Sequence, residues 1–254
     1  MSQHSIISVK NLHKKYGDFE AVKGISFEVK QGEIFGLLGP NGAGKSTTLE
    51  IIETLRQKTS GQVTVDGYDL DKQPDEIKKI IGVQLQTSGY YPGLNLVELI
   101  ELFGGLYNEP VNPLKLLDMV NLRDKAKSKY KELSGGQKQR FSIATTLINH
   151  PKIIFLDEPT TGLDPQARRN LWVLVQDIRA KGTTVIITTH YMDEAEVLCD
   201  RVAIIDAGRI IVLDTPDKLI DNLVATGFER PKEVKQANLE DVFIHLTGHT
   251  LREE

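Results

Sequence analysis

The sequence has little cysteine, no long hydrophobic run and no excess of basic charge. The single cysteine, Cys199, excludes an internal disulfide and is typical of a protein from a reducing compartment. No apolar run approaches the roughly 20 residues needed to cross a bilayer, and residues 1–5 lack the basic and apolar regions of a signal peptide. The net charge is −4, from 31 basic and 35 acidic residues that are interspersed, so no nucleic-acid partner is expected. These absences indicate a cytoplasmic protein.

The most informative segment is rich in glycine and lies between an apolar run and a helical pattern. The run Ile34–Leu38 precedes it, and Leu49, Ile52 and Leu55 follow it at three-residue spacing. This order of strand, loop and helix is what a phosphate-binding loop requires. Glycines lack Cβ, so successive backbone N–H groups can converge on one anion, and the start of the helix adds further donors. The candidate phosphate-binding residues are Gly39, Pro40, Asn41, Gly42, Ala43, Gly44, Lys45, Ser46 and Thr47.

Two side chains at the end of this loop carry specific chemistry. Lys45 supplies a positive charge for the β- and γ-phosphates, and the hydroxyl of Ser46 is a ligand for Mg²⁺. Because the flanks, the spacing and the Lys-Ser pair agree, an ordinary glycine-rich turn is the weaker interpretation. The segment therefore predicts binding of a nucleoside triphosphate.

Hydrophobic patterning predicts an α/β protein. Residues 6–29 alternate like short strands, and residues 153–156 and 185–187 form the continuous apolar runs of parallel strands that are covered on both faces. Residues 87–150 have a helical texture and form an insertion in the α/β core. The tail, residues 221–254, contains Leu239, Val242, Phe243 and Leu246 at the spacing of an amphipathic helix. We therefore expect one domain over residues 1–220, followed by this tail.

Two acidic residues, Asp157 and Glu158, follow directly after the predicted strand at residues 153–156. Ligands of open parallel sheets bind beyond the carboxyl ends of the strands. If this strand neighbours the one before the phosphate loop, both acids lie beside the triphosphate. Since adjacent strand residues point to opposite faces, we expect different roles: Asp157 for Mg²⁺ and Glu158 for polarising the attacking water.

A second segment, Leu133 to Gln137, opens another helix. Ser134 is a good N-cap, and Gln137 completes a capping box, so a well-capped helix is one interpretation. However, Gly135 and Gly136 in a first turn each cost roughly 1 kcal/mol of helix propensity. A close-approaching anion at the helix start would explain that cost.

Three further residues are ambiguous on residue patterns alone. His190 follows the strand at residues 185–187 and falls at the same sheet edge as Asp157, although a lone histidine is usually structural. Gln86 lies where strands give way to the helical insertion, which is weak evidence of a role. Tyr16 precedes a turn and is either a stacking platform for a base or a packing residue.

Together, the phosphate loop, Leu133–Gln137 and the Asp157–Glu158 strand end resemble the nucleotide-binding subunit of an ABC transporter over about residues 6–220. The resemblance implies a P-loop NTPase (RecA-like) core with an N-terminal antiparallel β-subdomain and an inserted α-helical subdomain, with ATP and Mg²⁺ as cofactors. It implies that Tyr16 stacks on adenine, that Gln86 reaches Mg²⁺ and the water, and that His190 steadies the γ-phosphate.

The same resemblance implies a head-to-tail dimer, formed by two copies or with a related chain, and separate permease chains as membrane partners. Each site would pair Lys45 of one chain with Ser134 and Gly136 of the other, and the subunit would sit on the cytoplasmic face of the membrane. Residues 238–248 resemble the ending of exporter-type members. A soluble ABC-type ATPase of translation, DNA repair or cofactor assembly is the alternative. A P-loop phosphotransferase would leave Leu133–Gln137 without a purpose.

Overall fold

The structure is a computed structural model, and it describes residues 4–84 and 89–229. The chain divides into two compact units, Met1–Lys218 and Leu219–Glu254. The first unit contains both β-sheets, and the second is described only as far as residue 229. The predicted amphipathic segment around Leu239 and Phe243 lies outside the described residues. No helix within the described ranges is long and apolar enough to cross a membrane.

Ten strands and eight α-helices follow one another along the described residues. The strands are β1 (Ser5–Tyr16), β2 (Phe19–Lys30), β3 (Ile34–Leu38), β4 (Ser60–Val65), β5 (Tyr68–Asp69), β6 (Ile81–Gln84), β7 (Ile153–Asp157), β8 (Thr184–Thr189), β9 (Arg201–Asp206) and β10 (Arg209–Asp214). The helices are α1 (Lys45–Ile52), α2 (Pro74–Ile80), α3 (Leu96–Tyr107), α4 (Pro113–Met119), α5 (Gly135–Thr146), α6 (Pro165–Ala180), α7 (Met192–Leu198) and α8 (Pro216–Ala225). Two short 3₁₀ helices span Arg123–Lys125 and Tyr130–Glu132.

The smaller sheet is antiparallel, with strand order β2-β1-β4-β5. The prediction of several short strands in this region was wrong, because β1 and β2 are each 12 residues long. The β1–β2 pairing contains four register shifts, which interrupt the alternation of buried and exposed residues. A long bulged strand therefore has the sequence pattern of shorter pieces.

The larger sheet has strand order β10-β9-β3-β8-β7-β6. Strands β9, β3, β8, β7 and β6 are parallel, and β10 is antiparallel to β9. Every residue of β3 and β8 is buried, which explains the apolar runs Ile34–Leu38 and Val185–Ile187. Cys199 packs against β3, where a Cβ on Gly36 would stand 2.7 Å from its Sγ, and burial raises the pKa of this thiol. Cys199 is thus a free and buried thiol.

One expectation about this sheet was wrong. The strand that carries Asp157 does not neighbour the strand before the phosphate loop, since β8 pairs with both and lies between them. After β7 the chain returns through α6 and enters the sheet as β8 in the space beside β3. Strand order depends on this crossover, and no local pattern in the residues of β7 reports it.

Helix α1 ends sooner than the apolar spacing predicted. It stops at Ile52, and Thr54 takes a left-handed backbone conformation with φ of 64°. Leu55 consequently lies outside the helix and is 58% exposed. The buried face of α1 comprises Leu49, Ile51 and Ile52, which pack into the core between the two sheets.

Helices α3, α4 and α5 lie between β6 and β7 in the chain, and a side chain caps the start of each. Asn95 and Glu98 form a capping box at α3, and the Asn112 side chain accepts from the Lys115 N–H at α4. Ser134 accepts from the Gln137 N–H at 3.4 Å, and Gln137 accepts from the Ser134 N–H at 3.0 Å. Each pair satisfies backbone donors that a helix start leaves unpaired.

Candidate functional site

The phosphate loop requires glycine at identifiable positions. Gly42 and Gly44 adopt left-handed conformations with φ of 80° and 100°. A Cβ on Gly39 would stand 2.1 Å from the carbonyl oxygen of Ile205 on β9, so this position also excludes larger residues. Gly44 is the N-cap of α1, and its carbonyl accepts from the hydroxyl of Thr48. The loop is therefore held tightly against the edge of the sheet at the start of a helix.

Lys45 is directed back into this loop. Its Nζ donates to the carbonyl oxygens of Gly39 at 2.8 Å and Pro40 at 3.1 Å, and the side chain is only 4% exposed. The Oε1 of Glu158 lies 3.5 Å from the same nitrogen. A buried ammonium needs such partners, because taking a charge out of water is costly. The result is one fixed positive charge at the mouth of the phosphate loop.

Ser46 and Asp157 come together although they are far apart in the chain. The Ser46 hydroxyl donates to Oδ1 of Asp157 at 3.2 Å, and the Thr188 hydroxyl of β8 donates to the same carboxylate oxygen. Hydroxyl and carboxylate oxygens are the hard ligands that Mg²⁺ prefers, and this cation typically takes only one or two groups from the protein. The donor set at this edge thus fits a magnesium ion.

Glu158 occupies an unusual backbone conformation directly after β7. Its φ is 46°, in the left-handed region, and its N–H donates to the Thr188 carbonyl oxygen at 3.2 Å and the Thr188 hydroxyl at 3.0 Å. The carboxylate is 11% exposed and also lies 3.3 Å from Nδ1 of His190. That nitrogen has no hydrogen bond of good geometry within the described residues. Strained backbone of this kind is found preferentially at functional sites.

A cleft of about 280 Å³ opens in front of these groups. Its walls are formed by Tyr16, Phe19, Ala21, Asn41, Gly42, Gly44, Lys45, Ser46, Thr47 and Glu158. Tyr16 is 40% exposed, and the cationic groups of Lys14 and Arg56 lie 4.9 and 5.4 Å from its ring centre. Larger cavities exist on other faces, but they contain none of the predicted site residues. The phosphate loop, the Ser46 hydroxyl and the Tyr16 ring thus lie along one groove.

The residues Ser134, Gly135, Gly136 and Gln137 do not line this cleft. Ser134 and Gly135 are exposed at the start of α5. A Cβ on Gly136 would stand 2.9 Å from Cβ of Ala167 on α6, so helix packing within the chain already accounts for this glycine. Gly135 has only an ordinary contact with Leu163, at 3.8 Å. The helix start therefore presents its donors to the outside of the chain.

Gln86 lies outside the described residues. Gln84, two residues earlier on β6, is buried, and its Oε1 has no hydrogen-bond partner in the described ranges. Sequence reasoning missed Thr188, whose hydroxyl contacts both acidic residues of the site. The polar pair that ends an otherwise apolar strand, Thr188–Thr189 before His190, was the available signal.

Comparisons with known proteins agree with this geometry. Residues 22–161 match the protein family described as ABC transporter. The linearmycin resistance ATP-binding protein LnrL of Bacillus subtilis is 42% identical over 223 residues, which cover 86% of this chain and 72% of LnrL. The Nod factor export ATP-binding protein I of Burkholderia orbicola is 38% identical over 249 residues, covering 96% of this chain and 82% of that protein.

A solved structure with a similar fold is the dimeric post-hydrolysis state of the ATP-binding cassette MJ0796 bound to ADP and Pi. Its sequence is 31% identical to this one, and the superposition has a TM-score of 0.73. It covers 83% of this chain and 98% of that cassette.

Proposed function

The chain belongs to the ABC transporter family as an ATP-binding subunit that hydrolyses ATP, and from this premise we propose that it powers export through separate permease chains. The main observation is that Lys45, Ser46 and Glu158 line one groove and that Ser46 is hydrogen-bonded to Asp157. The helix start at Ser134, in contrast, is exposed and does not line this groove. Export is supported by the names of the similar proteins, which concern linearmycin resistance and Nod factor export. The subunit would act at the cytoplasmic face of the membrane, bound to its permease.

The outward-facing helix start supports a head-to-tail dimer. Helix α5 is 12 residues long, and its first turn offers backbone donors and the positive end of the helix dipole to an anion. Within one chain these donors do not reach the cleft. In a two-fold dimer, Ser134, Gly135, Gly136 and Gln137 of one copy would contact the γ-phosphate held by Lys45 of the other. The triphosphate would then join the two subunits.

Each side of the groove has a specific role in this proposal. Tyr16 stacks on adenine, and residues Gly39–Thr47 surround the phosphates. Ser46, Asp157 and Gln86 would hold Mg²⁺, which would supply positive charge to neutralise the phosphates. Glu158 orients and polarises the attacking water, and His190 steadies the γ-phosphate. The chemistry requires positioning and charge stabilisation rather than a covalent intermediate.

The domain assignment follows from these roles. We assign the ATPase domain to residues 1–220 and the helical subdomain to about residues 87–150. This subdomain carries the helix start at Ser134, so opening and closing of the dimer would move it relative to the phosphate loop. Such a movement is suited to driving a membrane partner, because hydrolysis then resets a conformational cycle.

A hydrolysis-deficient variant tests the dimer. Glu158→Gln should bind Mg-ATP and hydrolyse it very slowly, so size-exclusion chromatography with saturating ATP should show an ATP-bound dimer. Adding Ser134→Arg to this variant should return it to a monomer, because the bulky cation occupies the proposed interface. A Glu158→Gln protein that remains monomeric at saturating Mg-ATP would contradict the proposal. Export itself is tested by cargo-stimulated ATPase activity after purification with the permease.

A further inference from the structure

Glu194 is a completely buried acidic residue outside the nucleotide cleft. It lies on α7 with 0% of its surface exposed, whereas Asp193 and Glu196 on the same helix face solvent. Burial raises the pKa of its carboxyl, and the nearby groups of Thr189, Thr160 and Trp172 oppose this rise. Since a buried carboxyl is costly unless it is hydrogen-bonded, Glu194 requires polar partners inside the protein.

The carboxyl is contacted from three separate parts of the chain. The indole Nε1 of Trp172 on α6 donates to Oε1 of Glu194 at 3.1 Å. Two hydroxyls also lie close enough to lower the pKa of the carboxyl. One belongs to Thr160 in the loop after β7, and the other belongs to Thr189, the last residue of β8. Both threonines are 1% exposed. The carboxyl of Glu194 therefore lies where a helix, a loop and a strand end meet.

Two oxygen atoms of this contact, one on Glu194 and one on Thr160, lack an aligned hydrogen-bond partner among the residues that the structure describes. Neither Oε2 of Glu194 nor Oγ1 of Thr160 has a hydrogen bond of good geometry within residues 4–84 and 89–229. Buried polar atoms are rarely left without a partner. The Thr160 hydroxyl can donate to an ionised carboxylate or accept from a neutral carboxyl. A single shared proton would satisfy both oxygens.

Thr160 and Thr189 lie next to Glu158 and His190, which have proposed roles in hydrolysis. Thr160 lies two residues after Glu158, and Thr189 immediately precedes His190. The Thr189 hydroxyl also accepts from the Tyr191 N–H at 3.0 Å, which anchors the chain on the other side of His190. In front of this junction, Glu158 and His190 approach to 3.3 Å.

We propose that Glu194 is a positioning residue that sets the spacing of Glu158 and His190 by joining the loop after β7 to the end of β8. This inference rests on the proposed roles of those two residues in hydrolysis. Glu194 itself does not touch the nucleotide cleft. Its loss should therefore affect the catalytic step and leave the binding of ATP by Tyr16 and Lys45 intact.

Steady-state ATPase kinetics of matched variants test this proposal. Glu194→Ala should lower kcat by about 10- to 100-fold, the effect of a small displacement of catalytic groups, with little change in the KM for ATP. Glu194→Gln should stay close to wild type, since its amide oxygen accepts from Trp172 and its NH₂ group donates to Thr160. Glu196→Ala, an exposed change on the same helix, serves as the control and should leave both constants unchanged.

Thermal unfolding shows whether a variant is folded, and this distinguishes a positioning role of Glu194 from a loss of structure. Should Glu194→Ala not fold, Trp172→Phe replaces it, because this change removes the indole donor and keeps an aromatic ring; it should lower kcat with an unchanged KM. A folded Glu194→Ala with wild-type kcat would overturn the proposal, and so would a loss of ATP affinity equal to the loss in kcat. A Glu194→Gln variant as impaired as the alanine variant would overturn it too. A wild-type protein without ATPase activity would instead contradict the proposed function.

Discussion

Replacing Glu53 by glutamine should make the protein more stable at neutral and alkaline pH. Glu53 follows the last residue of α1 and is 4% exposed. Burial, with smaller contributions from Asp157 and Glu50, raises the pKa of its carboxyl from 4.5 to about 8. The unfolded chain loses this proton near pH 4.5, whereas the folded chain keeps it until about pH 8. Between these values stability falls as pH rises, because the unfolded state binds fewer protons.

The magnitude follows from the width of that interval. At roughly 1.4 kcal/mol per pH unit, the shift corresponds to about 5 kcal/mol of stability lost between pH 4.5 and 8. Glutamine is neutral in both states and removes this loss. Urea unfolding of Glu53→Gln and wild type should thus give similar free energies near pH 5, and the variant should gain an advantage of several kcal/mol by about pH 9.

The control for this experiment is Glu101→Gln, which changes an exposed glutamate on α3. It should leave the difference in unfolding free energy nearly constant over the same pH range. If Glu53→Gln also differed from wild type by a constant amount from about pH 5 to about pH 9, the carboxyl would not be neutral in the folded state. The reasoning from burial would then be refuted.

Three further predictions concern the nucleotide groove and the sheet. Tyr16→Ala should weaken ATP binding by an amount on the order of 1–3 kcal/mol, by analogy with aromatic–base stacking, and unchanged affinity in calorimetry would make Tyr16 a packing residue. Lys45→Ala should weaken binding of Mg-ATP itself, so equal calorimetric affinity would contradict the assigned role. Gly82→Ala would place a Cβ 2.1 Å from the Thr146 carbonyl oxygen and should destabilise the fold by roughly 1–3 kcal/mol in thermal or urea unfolding. Gly105→Ala on α3, with no atom near the added Cβ, should instead raise helix stability; an equal loss at both glycines would show that the close contact is not the cause.

Features that depend on neighbouring residues could be predicted from the sequence. The strand–loop–helix at Ile34 to Ile52 and the capping boxes at Asn95 and Ser134 are encoded within a few residues. The apolar residues of α6 from Leu171 to Ile178 recur at helical spacing, and they are the buried residues of that helix. Such patterns report local geometry because each cap or stripe interacts with adjacent turns of the same element.

Features that depend on the path of the whole chain could not be predicted. The position of β8 between β3 and β7 follows from a crossover, and so does the contact of Thr188 with Asp157. The left-handed backbone of Glu158 has no marker in a non-glycine residue. The glycine at 136 was attributed to an approaching anion, but Ala167 on α6 already requires it. Each of these depends on a partner that is remote in sequence.

The position of Thr188 has a consequence for strand pairing. The Thr188 hydroxyl donates to Asp157 and accepts from the Glu158 N–H. The positions of both acidic residues therefore depend on the register of β7 against β8. Because a strand turns successive side chains to opposite faces, sliding β8 by one position would present Ile187 or Thr189 there. Such a molecule would retain a folded sheet but lose the alignment of its two carboxylates. ATPase activity should therefore fall when β8 slips in register. A measurement of secondary-structure content would not detect such a slip.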